Sequence, residues 1–221
     1  MTQVEISQRA QEVLSKYTNK TLDKHDLHLV SDKFLGADLY FHLDEECNFQ
    51  EFAVKLDESH SDAKKHSLLC AALELVSKVG IAHLFKVSFR ETESYLRDEN
   101  HLPAWEDITA SRKWFNEAIE ELISGLVNAL LMKQGALLLD WDELNLMEKI
   151  EAVEKCLEKI RPVYKKILTT QLELVTLEED EIIISGGEDF LSHKYFEVLM
   201  TRIVEYLQFS LCSTKIKLVA Q

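Results

Sequence analysis

Two neighbouring segments of this chain, 37–43 and 49–56, carry apolar residues at alternate positions, and they stand between stretches whose apolar spacing is helical. Leu39, Phe41 and Leu43 share one side of the first segment, and Phe52, Val54 and Leu56 share one side of the second, opposite Lys55. Successive side chains of a strand point to opposite faces, so this alternation specifies two half-buried strands. The polar connection Asp44-Glu45-Glu46-Cys47-Asn48 suits a tight reversal, which makes the pair an antiparallel hairpin. Before it, Ile6, Ala10, Val13, Leu14 and Tyr17 predict an amphipathic helix over 5–17, followed by a polar loop. After it, Leu69, Ala72, Leu73, Val76 and Val79 form an apolar stripe closed by Gly80, the pattern of a helix packed on the hairpin. Residues 88–98 read as helical, His101-Leu102-Pro103 interrupts them, and Phe115, Ala118, Ile119, Leu122, Ile123, Leu126 and Leu130 predict a long helix over 114–131.

The remainder repeats the mixture. Ile150, Val153, Leu157, Ile160 and Val163 predict a helix over 147–168, strands follow at 172–177 and 181–185 around an acidic turn, and a helix over 190–209 precedes a last strand at 214–220. The expectation is an α+β chain of two small domains. Residues 1–131 form an antiparallel sheet with packed helices, 132–146 form an apolar connector, and 147–221 form an α-β-β-α-β domain.

With 46% apolar and 9% aromatic residues, six Gly and two Pro in 221, the chain has material for two cores and little that is prone to disorder. Its formal charge is −14, and the acid is concentrated in the first part. Residues 1–144 hold 15 Lys+Arg against 26 Asp+Glu, whereas 145–221 hold 10 against 13. Such a field repels phosphate backbones and anionic lipid, so the expected partners are neither nucleic acid nor membrane, and a basic protein surface fits better. The segment MTQVEISQRAQEVL lacks the basic and apolar regions of a signal peptide, which predicts a cytoplasmic location. Cys47, Cys70, Cys156 and Cys212 are widely spaced and form no C-x-x-C, the pattern of free thiols in a reducing compartment.

Ile160-Arg161-Pro162, Glu173-Leu174-Val175 and the run from Asp180 to Ile184 keep one continuous register, and on these residues 147–221 resembles an Nfu-type domain. That register puts Phe190 and His193 at the two cysteines of the family's C-x-x-C, and Thr169-Thr170 near its paired glycines. The first domain is similar to the U-type scaffold domain of the NifU family. Gly36-Ala37-Asp38 stands at its "CGD", so that Asp38 keeps the aspartate and Gly36 replaces the first cysteine. The second ligand position falls near Asp62 to Lys64, and the third at Ser111. The family's chaperone-recognised "LPP" appears only as Leu102-Pro103-Ala104-Trp105, and residues 132–146 occupy the place of its ferredoxin-like domain.

The resemblance implies a scaffold for iron–sulfur cluster assembly, but such clusters need thiolates at close quarters and this chain has none at the family positions. Asp38 and His193 are the only family-position residues with metal-binding side chains, and they fall in different domains. Cys70 and Cys156 lie in apolar helical runs and read as core, while the acidic turn around Cys47 disfavours a thiolate. His25 with His28, and His60 with His66, are the histidine pairs that a metal would need to recruit. Ser185-Gly186-Gly187 lacks the preceding glycine of a nucleophile elbow and reads as a strand-to-helix turn.

The expected function is therefore a non-enzymatic, NifU-like pseudo-scaffold. It would have no resident cofactor and no catalytic residue, and would act through protein contacts on a cysteine desulfurase or a true iron–sulfur scaffold. The alternatives are an adaptor unrelated to iron–sulfur assembly, and a protein that binds iron or a cluster through other ligands.

Overall fold

The computed structural model describes residues 6–44, 49–57, 62–99, 101–105, 109–168 and 171–221. The chain is α+β and forms two compact units, Met1–Ile123 and Ser124–Gln221. The division between these units falls within the long helix.

In the first unit, β1 (Leu27–Val30), β2 (Ala37–Leu43) and β3 (Phe49–Leu56) make an antiparallel sheet in that order. The alternation predicts the register: Leu39 faces Val54 and Phe41 faces Phe52, and all four are buried on one side. The hairpin turn, with Cys47, lies outside the described residues, as does His60. Helix α1 (Gln8–Thr18) is capped twice, by the Ser7 hydroxyl accepting from the Ala10 N–H at 3.0 Å and by the Asp98 carboxylate accepting from the Gln8 and Arg9 N–H groups at 2.8 Å. Tyr17 of α1 stacks on Phe52 with centroids 4.0 Å apart, which seats the helix on the sheet.

Helix α2 (Ala63–Val79) is buried on almost every side from His66 to Leu73, so it is the axis of this unit. Its apolar stripe ends at Val76. Val79 is 70% exposed, because Gly80 turns the chain away at φ 116° while its N–H bonds the Val76 carbonyl at 2.7 Å. The short α3 (Phe89–Tyr95) and the long α4 (Thr109–Lys133) follow. Strand β1 departs from the expected polar loop. It has only four residues at the sheet edge, with Val30 facing solvent, and pairing with β2 rather than its own pattern makes it a strand.

In the second unit, α5 (Leu146–Leu168) precedes β4 (Glu173–Glu178) and β5 (Glu181–Ser185), which pair antiparallel, and β6 (Lys217–Ala220) joins β5 in parallel. The helix predicted over 190–209 is two helices, α6 (Gly187–Leu191) and α7 (Phe196–Ser210). The break comes where the His193 ring, through Nδ1, accepts the Tyr195 N–H at 3.2 Å and draws that donor away from a helical ladder. The last strand begins at Lys217, three residues later than expected.

Residues 132–146 belong to this second unit. The Leu139 and Trp141 N–H groups bond the Ser210 and Leu211 carbonyls at 3.1 and 3.2 Å. Trp141 is fully buried, donates to an Asp180 carboxylate oxygen at 2.8 Å, and carries the Lys149 ammonium 4.5 Å from its ring centroid.

Candidate functional site

Three segments of the first unit, each holding a position singled out from the sequence, meet at one place. The loop between β1 and β2 contains Gly36. The start of α2 contains residues 62–64, and the start of α4 contains Ser111. His66, one turn into α2, donates from Nε2 to the Phe34 and Leu35 carbonyls, each at 3.2 Å. Trp114, one turn into α4, donates from Nε1 to the Lys33 carbonyl at 2.7 Å, and Glu117 holds the Lys33 ammonium at 3.1 Å. Lys65 of α2 closes the triangle with its ammonium 5.9 Å from the Trp114 ring centroid. Each of these hydrogen bonds contributes about 1 kcal/mol net, and the exposed cation–π contact about 0.5 kcal/mol.

The local sequence explains the construction. Ser31 caps a single 3-10 turn over Asp32–Phe34, after which Leu35 and Gly36 both take left-handed backbone angles, φ 50° and 75°. That reversal presents the Lys33, Phe34 and Leu35 carbonyls to the two helices. It also lets the Gly36 carbonyl accept from the Asp57 N–H at 2.6 Å. At the start of α2 the Asp62 carboxylate is occupied twice, as cap for the Lys65 N–H at 3.3 Å and as partner of the Lys65 ammonium at 3.4 Å. His66 is fully buried, and desolvation pushes its pKa below the ordinary 6.5 against the opposing pull of the two carbonyls. The neutral ring therefore keeps its proton on Nε2, and Nδ1 is buried without a partner.

This end of the unit does not suit a cluster. Gly36 offers no side chain, Ser111 is a buried hydroxyl, and the nearby Asp62 and Lys65 are engaged with one another. A cysteine at 36 would also have to adopt the left-handed region, at about 1 kcal/mol. Asp38 does not compensate. It points to the opposite face of the sheet, where His28 approaches one carboxylate oxygen at 3.6 Å and the Tyr40 hydroxyl lies 3.5 Å away. His28 stacks on Tyr40 at 4.4 Å and His25 meets the same ring edge-on at 5.1 Å, so the first histidine pair brackets an aromatic ring. The second pair includes His60, outside the described residues, and His66, whose Nε2 is already committed.

In the second unit, Phe190 is a core residue. Its ring is fully buried, edge-on to Phe196 at 5.2 Å and to Tyr164 at 6.4 Å. The preceding Gly186 lies so close that a β-carbon there would fall 2.4 Å from Phe190 Cδ1. His193 shapes the turn between α6 and α7 through its bond to Tyr195. Arg161, of the Ile160-Arg161-Pro162 motif, ties α5 to the start of β4, donating to the Leu172 carbonyl at 2.7 Å and to Glu154 at 2.8 Å. Thr169 and Thr170 lie outside the described residues.

Burial raises the Cys70 thiol strongly and pushes Cys156 up to about 11, so neither supplies a thiolate near neutrality. Cys212 is exposed. Among the described residues, no three His, Cys, Asp or Glu side chains gather as a metal site. No helix among them is long and apolar enough to cross a membrane.

No family model, no curated protein and no solved structure matches this chain. Sequence reasoning singled out Gly36, residues 62–64 and Ser111, but it passed over Trp114 and Lys33 and weighed His66 only as a metal partner of His60. A lone tryptophan one turn into a helix was the signal available for the junction.

Proposed function

We propose that this chain is a non-catalytic, NifU-like protein of the cytoplasm that keeps the form of an iron–sulfur scaffold without its ligands and acts by binding a protein of cluster assembly, a cysteine desulfurase or a true scaffold. One observation carries the reading. The loop holding Gly36, the start of α2 and the start of α4 converge through His66, Trp114 and Lys65, although no cysteine stands at those positions. Convergence without donors favours a surface retained for contact over a site retained for metal. The same three segments carry Lys33, Lys64, Lys65, Arg112 and Lys113 against Asp32, Asp62 and Glu117, a local excess of positive charge in a chain of net charge −14. At this junction the cations Lys64, Arg112 and Lys113, unpaired among the described residues, would meet acidic groups of the partner, while the acidic remainder of the chain favours a partner that is basic around them. The acidic balance elsewhere argues against nucleic acid or membrane as the partner.

The test is anaerobic incubation with iron and sulfide, followed by iron analysis and visible spectroscopy. The wild type should stay colourless and free of iron, and the triple variant Gly36→Cys, Lys64→Cys, Ser111→Cys should gain a sulfur-to-iron charge-transfer band. Calorimetric titration against the desulfurase of the same cell should give saturable binding that weakens on Lys65→Glu. Stoichiometric iron in the wild type would make this a cluster carrier with unorthodox ligands. A colourless triple variant would remove the resemblance as an argument.

A further inference from the structure

On the outer face of the β1–β2–β3 sheet, the chain leading from α1 to β1 overhangs a cleft of about 350 Å3. Thr21, Leu22 and His25 of that chain face Tyr40, Ala53 and Lys55 of the sheet. Tyr40 and Ala53 are cross-strand neighbours, so the small side chain of Ala53 leaves the space beside the Tyr40 ring open. The volume lies at the lower end of the range that holds small molecules.

The geometry points to a binding site for a small planar carboxylate, a flat apolar body with one anionic group. Three features of the lining select that class. The Tyr40 ring is held in place before any ligand arrives, with His28 parallel to it at 4.4 Å and an interplanar angle of 6°, and with His25 edge-on at 5.1 Å. A fixed aromatic wall favours a flat apolar partner and reduces the ordering cost of binding. The charged groups at the cleft are cations, Lys20 and Lys55, on a chain whose overall field is negative. Lys20 is held by Glu51 at 3.3 Å, whereas Lys55 makes no ion pair among the described residues and faces the mouth of the cleft as an exposed ammonium. The hydroxyl of Thr21 supplies a neutral donor at the same rim, whereas that of Thr18 donates to the Leu14 carbonyl at 2.9 Å. Asp38 is cross-strand from Lys55 but forms no ion pair with it among the described residues; one of its oxygens is approached by His28 and Tyr40 at 3.6 and 3.5 Å.

The site shares no residue with the junction of His66, Trp114 and Lys65, and it is tested with 2-naphthoate as probe. Amide chemical shifts of the full chain are followed on titration, with 2-naphthamide as the uncharged control. Saturable shifts confined to residues around 18–25, 40 and 53–55 are expected, with a Kd on the order of a millimolar or tighter. Lys55→Gln should weaken 2-naphthoate about fivefold, the effect of one exposed ion pair, and leave 2-naphthamide unchanged. Ala53→Met, which fills the open space, should abolish binding of both, and an unchanged amide spectrum outside the cleft would show that this variant keeps its fold. Absence of saturable shifts, shifts centred elsewhere, equal affinity for the amide, or indifference to Lys55→Gln would each overturn the assignment.

Discussion

Replacing Gly186 with alanine isolates the contact that holds Phe190 in the core of the second unit. The Gly186 backbone has φ −128°, which any residue adopts, so the substitution carries no conformational strain of its own. The whole cost is steric. A β-carbon there would lie 2.4, 2.7 and 2.8 Å from Cδ1, Cγ and Cβ of Phe190, where carbon atoms normally stay about 3.5 to 4 Å apart. Phe190 cannot swing aside, because its ring is enclosed by Tyr164 and Phe196, and its Cβ is anchored to α6. Overpacking of this kind costs about 1 to 3 kcal/mol, and the upper half of that range is expected here. A conformational control, read by amide exchange in the first unit, is Gly80→Ala, where nothing lies within 4 Å but φ is 116° with ψ 165°, a region kept essentially for glycine, so the cost is purely conformational, about 1 to 3 kcal/mol. A double-mutant cycle completes the test. Phe190→Ala alone should cost about 3 to 5 kcal/mol as a cavity. Since it removes the Cδ1 and Cγ clashes and leaves that of Cβ, the double variant should be more stable than the sum by about 1 kcal/mol. Amide hydrogen exchange at Ile182 and Ile184, followed across urea concentrations, reports the second unit directly. A Gly186→Ala protein within about 0.5 kcal/mol of wild type, or a strictly additive cycle, would refute the reasoning.

Trp114→Phe keeps an aromatic side chain but removes the pyrrole half of the indole with its donor to the Lys33 carbonyl, so the first unit should lose about 1 to 2 kcal/mol in denaturant unfolding. His66 sets a pH limb with a definite sign. Burial lowers its folded pKa below the ordinary 6.5, so the unfolded chain takes up a proton that the folded one refuses. Stability should be full above about pH 6.5, fall as pH drops toward the folded value, and level off below it. His66→Gln should flatten that limb in unfolding measured at a series of pH values. Peptide mapping after thiol alkylation should find Cys212 modified in the native protein, and Cys70 and Cys156 modified only after unfolding, as their burial requires.

The hairpin and its register were legible because alternation over 37–43 and 49–56 is a local property that only one pairing satisfies. Helix α5 was legible for the same reason at helical spacing. The break between α6 and α7 was not, since an apolar period runs through it and the His193 bond to Tyr195 is what interrupts the ladder. Nor was the place of the connector, whose apolar residues were visible but whose destination was not. Trp141 enters the core of the second unit because Asp180 accepts its indole N–H there.

Sequence by itself settled the α+β content, the central hairpin and the long helices. These follow from side-chain type and short-range period. Tertiary structure decided that Gly36, the start of α2 and the start of α4 share one junction, that Phe190 lies inside rather than at a surface, and that Asp38 lies on the other face of the sheet. Each of those outcomes depends on which segments close on one another through space, and donors such as His66 Nε2 and Trp114 Nε1 reach carbonyls more than thirty residues away in sequence.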